Sequence, residues 1–141
     1  MNYEDRDTYG MYKRSADRAA GPDLRHGPGP ELMGADTLVG NDVCNENGED
    51  LGEIKEIMLD MHSGRVGYAV LSFGSFLGMG EKLFAVPWDA LKLDTEHKRF
   101  VLNVEKDRLK QAPGFDRGKW PNMADQSWAK GIHSYYGTKP H

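Results

Sequence analysis

GEDLGEIKEIMLDMHSGRVGYAVLSFGSFLGMGEKLFAVPWDAL, residues 48–91, decides the fold. It is a series of short apolar runs, rich in β-branched and aromatic residues and parted by Gly, Asp, Asn and Ser, the pattern of strands joined by turns. Leu51 to Asp60 reads as one strand, with Ile54, Ile57 and Leu59 apolar. The step from Ile54 to Ile57 breaks strict alternation, which predicts a bulge, and bulges help a small sheet curl. Asp60-Met61-His62-Ser63-Gly64 reads as a turn. Arg65–Phe73 follows as a strand expected to be buried on both sides: Val66, Tyr68 and Val70 lie on one face, Ala69, Leu71 and Phe73 on the other. Lys82–Trp88 is a further strand, ended by Pro87-Trp88.

Working outward, Leu38–Cys44 reads as a short strand and Asn45-Glu46-Asn47-Gly48 as a turn in which glycine takes positive φ. On the other side come a short strand Leu91–Leu93, a turn over Asp94–Lys98, and a closing strand carrying Phe100, Leu102 and Val104. Residues 35–105 are therefore expected to form a mainly β domain, a small antiparallel barrel that is closed or partly open. Residues 106–141 form a C-terminal extension: Glu105–Gln111 reads as a brief helix stopped by Pro113. A second helix opens at Pro121, carries an apolar stripe of Trp128, Ile132, Tyr135 and Tyr136, and stops at Gly137. Residues 1–34 mix charge with Gly and Pro and show no apolar period, so a disordered arm is expected, with Tyr3, Tyr9 and Tyr12 either contact points or, as the favoured reading, solvated.

The 141 residues suit one domain. The net charge of −4 is unevenly spread: 35–105 carries six basic and thirteen acidic side chains, 106–141 seven basic and three acidic. An acidic body repels phosphate, which argues against nucleic acid as the partner. Cys44 is the sole cysteine, so no intrachain disulfide forms and a reducing, cytoplasmic setting fits. The first residues lack the apolar core of a signal peptide, and no run approaches the roughly 20 apolar residues of a membrane span. Membrane insertion is not expected; peripheral association stays open.

Candidate chemistry is sparse. Gly74–Gly80 is glycine-rich, but five residues on from Gly74 stands Met79, and Lys82 leads into a strand, so the loop is no phosphate cradle. Its Phe76, Leu77 and Met79 either bury against the C-terminal helix or form a docking or dimer surface. The five histidines are scattered and no zinc spacing appears, so no metal, cofactor or catalytic residue is expected. Cys44, on a strand with no base in view, reads as a buried inert thiol. Glu53, Glu56 and Asp60 form a candidate acidic patch; the plainer reading is a solvated face. Trp120, Trp128, Tyr135 and Tyr136 suit an interface and a helix packed on a barrel equally well.

The stretch from 37 to 104 resembles the PRC-barrel family, with Gly48, Gly52, Asp60, Gly64, Tyr68, Pro87 and Trp88 on the family pattern. SFGSFLGMGEK followed by VPW, then AP.F.R..WP and HSYYG..P, resembles a group of free-standing bacterial members. The resemblance implies a barrel like the cytoplasmic part of the photosynthetic reaction-centre H subunit, or the second domain of a ribosome maturation factor. In both, the barrel binds a larger assembly. In the H subunit it implies surface carboxylates that carry protons toward a quinone. The chain lacks the membrane helix of the first and the companion domain of the second, so neither role transfers on fold alone. The expectation is a non-catalytic interaction module that docks to a protein assembly or self-associates. Ribosome-associated RNA binding and small-ligand binding are the alternatives.

Overall fold

The computed structural model describes residues 2–3, 32–73 and 82–139. A single helical turn, α1 (Ala35–Leu38), precedes β1 (Asp42–Cys44), so the strand expected from Leu38 begins four residues later. The cause is local: the N–H groups of Thr37 and Leu38 bond the Gly34 carbonyl, and Gly40 then reverses the chain at φ +91°. The chain continues through β2 (Asp50–Leu59), β3 (Val66–Phe73) and β4 (Lys82–Pro87). A 3-10 turn (Trp88–Ala90), β5 (Leu91–Asp94) and β6 (Arg99–Leu102) follow. Beyond them lie α2 (Lys106–Lys110), β7 (Phe115–Asp116) and α3 (Gln126–Tyr136).

The seven strands form one sheet in the order β5-β6-β1-β2-β3-β4-β7. Every pairing is antiparallel except β1 with β6, which is parallel, so the sheet is mixed and not wholly antiparallel as the turns suggested. The chain leaves β1 by a hairpin and returns along β6 in the same direction, a connection that tight turns do not announce. Among the described residues no hydrogen bonds join β5 to β7, and the barrel is partly open.

The turns form as their residues dictate. The Asn45 side chain accepts from the N–H of Asn47 (3.0 Å) and Glu49 (2.9 Å), while its amide donates to the Val104 carbonyl (3.2 Å), tying the turn to the chain beyond β6. In β2 the ladder to β3 steps from Ile54↔Leu71 to Glu56↔Val70, leaving Lys55 as the extra residue of the expected bulge. The bulge restores parity: Ile54 and Ile57 both face the core, and Glu53 and Glu56 both face away from it.

The main core gathers Val43, Leu51, Ile54, Leu71, Phe84, Val86, Phe100 and Leu102 from the sheet's inner face, with Leu38 of α1 and Leu109 of α2 packed against them. Each such side chain contributes about 1.5–3 kcal/mol by leaving water. Tyr3 departs from expectation: it is buried in this core and its N–H bonds the Lys98 carbonyl (3.2 Å), because its ring finds apolar surface that a solvated tail lacks. Tyr9 and Tyr12 lie outside the described residues. β3 is buried on both faces, as its sequence implied; Ala69, Leu71 and Phe73 enter the core, while Tyr68 meets α3. Val66, opposite Leu59 beyond a second register shift, lines an apolar cleft.

Candidate functional site

α3 begins where Asp125 accepts the N–H of Ser127 (2.9 Å), five residues after Pro121, and ends at Gly137 in the left-handed region. Its apolar stripe turns Ile132 inward, and the Trp128 ring meets Tyr68 edge-on at 5.3 Å. Beside them His133 is buried, with Nδ1 2.7 Å from Thr138 Oγ1 and Nε2 3.4 Å from the Tyr68 hydroxyl. The Tyr135 hydroxyl donates to the Arg108 carbonyl (2.6 Å), and Arg108 Nη2 donates to the Tyr135 carbonyl (2.9 Å). The guanidinium also lies 4.9 Å from the Tyr135 ring centre, so α2 and α3 are clamped together. Tyr136 packs edge-on to Tyr135 at 5.1 Å. Trp128, Tyr135 and Tyr136 are thus half-buried members of a helix packed on the sheet.

Trp120 differs. It follows β7, is 41% exposed, donates its indole N–H to the Arg117 carbonyl (2.8 Å) and lies 5.0 Å from the Phe115 ring. It is an exposed aromatic already fixed in one orientation.

Burial, helped by the neighbouring Tyr135 phenol, pushes the Tyr136 phenol far above its ordinary range, and burial raises Tyr68 as well. Both groups therefore favour folding while neutral: the contribution is complete below the unfolded tyrosine pKa of about 10 and is lost as pH rises through the folded values. On alkaline titration the far-UV helix signal is expected to fall together with the rise of tyrosinate absorbance at 295 nm, beginning above about pH 10. Tyr136→Phe should move that loss to higher pH. Tyrosinate formation that leaves the helix signal unchanged would contradict this.

The acidic patch resolves into local roles. Glu53 and Glu56 share the outer face of β2, opposite Ser72 and Val70. Glu56 accepts the N–H of Ile57 (3.1 Å). Asp60 caps the next turn, accepting the His62 N–H (2.9 Å) and the Ser63 hydroxyl (3.0 Å), and these bonds hold its carboxyl below the usual range. Asp94, Glu96 and His97 are the one set among the described residues whose ligand atoms gather within 4.8 Å. The Asp94 carboxylate there accepts the N–H groups of Glu96 (3.1 Å) and His97 (3.2 Å), with Arg99 Nε 3.6 Å away, the arrangement of a turn cap. Cys44 is buried, its Sγ 3.8 Å from the Phe100 carbonyl, and burial raises its pKa, which keeps it a poorly nucleophilic thiol. Phe76, Leu77 and Met79 lie outside the described residues.

One feature escaped the linear reading. A half-open apolar cleft of about 320 Å³ lies between Leu38, Ile57, Leu59, Trp88 and Leu93. Leu59 is 53% exposed and Met61, at the neighbouring hairpin turn, 85%. The walls come from α1, β2, β3, the 3-10 turn, β5 and β6, so no local motif marks the cleft; the apolar Met61 within a polar turn was the available signal. The Arg108–Tyr135 clamp, spanning 27 residues, had none.

Among the described residues no helix is long and apolar enough to cross a membrane. No curated protein matches the chain. The family model for the PRC-barrel domain matches residues 30–109, more than half of the sequence and nearly all of the sheet. The chain belongs to the PRC-barrel family.

Proposed function

We propose that the protein is a non-catalytic docking module of the cytoplasm that presents Trp120 to a protein partner. The observation that carries this reading is the fixed, 41% exposed indole of Trp120. Aromatic anchors dominate the energy of protein interfaces, and an anchor ordered beforehand loses little side-chain entropy on binding. The carboxylates and the thiol serve turns and core, which supports a module without its own chemistry.

The test is capture of partners by the tagged full chain from its own cells, with membrane and ribosomal fractions kept apart, beside the Trp120→Ala variant. Loss of Trp120 is expected to weaken partner binding by about 2 kcal/mol, roughly thirty-fold. The melting temperature should change little, since the tilted Phe115–Trp120 pair at the surface contributes only about 0.5–1.5 kcal/mol beyond its area. Equal recovery by both proteins would move the contact away from Trp120. Recovery of nothing except further copies of the chain would sink docking to another protein.

The cleft favours a second reading, a small apolar ligand held beside Trp88. Quenching of Trp88 fluorescence by such a ligand, abolished in Leu59→Glu, would support it.

A further inference from the structure

Asn41 is fully buried, and among the described residues neither its Oδ1 nor its Nδ2 has a hydrogen-bond partner. Its backbone is anchored: the Asn41 carbonyl accepts the Ile54 N–H (2.9 Å), the Ile54 carbonyl accepts the Gly40 N–H (2.6 Å), and the Asn41 N–H reaches the Leu38 carbonyl (3.0 Å). Ile54, which shares these backbone bonds, points into the apolar core, and Asn41 beside it is itself fully buried. A primary amide carries two donors and an acceptor, and buried groups of this kind are almost always bonded to protein or to ordered water. Of the other buried polar residues, Asn45 is engaged in its own turn and His133 with Thr138 and Tyr68. Thr37, on α1 four residues before Asn41, is the remaining one at this end of the fold.

We propose that Asn41 is the binding site of an internal structural water. One water closes a ring on the amide, accepting from Nδ2–H and donating to Oδ1. Its remaining hydrogen and lone pair are left for the adjoining α1 turn, where Thr37 is buried and the Leu38 carbonyl accepts the Asn41 N–H. The water then ties α1 to the inner face of β2.

The test uses the full wild-type chain. Nuclear Overhauser spectra should show cross-peaks from the Asn41 side-chain amide protons to water, with the sign of a molecule resident longer than about a nanosecond. A crystal structure should show density within hydrogen-bond distance of both Nδ2 and Oδ1. Asn41→Leu should lose that density while keeping the backbone spectrum of the sheet. A dry amide in the wild-type crystal, or one paired to a protein atom and silent toward water, would overturn the proposal.

Discussion

Gly52→Ala is expected to abolish the cooperative unfolding of this domain or to lower its stability by more than about 3 kcal/mol. Gly52 sits inside β2 at φ +105°, where a side chain is strained in any surroundings. Here the surroundings are also closed: an added Cβ would overlap the Ser72 carbonyl oxygen and lie 3.1 Å from its carbon and 3.3 Å from the Phe73 Cα. All three atoms are backbone of β3, so relief requires the β2–β3 ladder itself to part. Gly48 supplies the control, with φ +82° and nothing within 4 Å of the added atom. Gly48→Ala carries the strain without the collision and should cost only about 1 kcal/mol. Chemical denaturation of both variants separates the two effects, and equal losses would show that backbone strain, not the Ser72 contact, makes position 52 a glycine.

Phe84→Ala is expected to cost about 3–5 kcal/mol. Phe84 is 1% exposed and, among the described residues, the largest fully buried side chain, set opposite Leu71 on β3. Its ring is also closed in by neighbours that are poorly placed to collapse: an atom added at Gly114 would lie 3.0 Å from it, and Lys82 Nζ stands 5.3 Å from its centre. Phe84→Leu, which leaves a smaller void, should lose distinctly less. A loss below about 1 kcal/mol for Phe84→Ala would mean that the core relaxes around the gap, against the close packing found here.

Much of this fold was legible because its signals are local. The break between Ile54 and Ile57 became the bulge at Lys55, and the two-sided apolar pattern of Arg65–Phe73 became a strand held between core and helix. Asn45, Asp60 and Asp94 cap their own turns, as short polar side chains do. What the sequence hid was long-range. The parallel pairing of β1 with β6 joins Val43 to Phe100, Tyr3 finds a core built by distant strands, and the cleft is shared among six elements. The aromatic set illustrates the division: helical spacing put Trp128, Tyr135 and Tyr136 on one stripe, but only the docked helix separates them from Trp120.

The β1–β6 seam also bears on the order of events when the chain folds. β2, β3 and β4 pair with their sequence neighbours, and β5 with β6 across a short turn. Joining Cys44 to Phe100 instead closes a loop of 56 residues. That closure costs about 2 kcal/mol more chain entropy than a tight hairpin, with no local contact to offset it along the way. The seam is therefore expected to form late, uniting a finished meander with a finished hairpin. Substitutions along it, such as Val43→Ala, should speed unfolding while leaving the folding rate nearly unchanged.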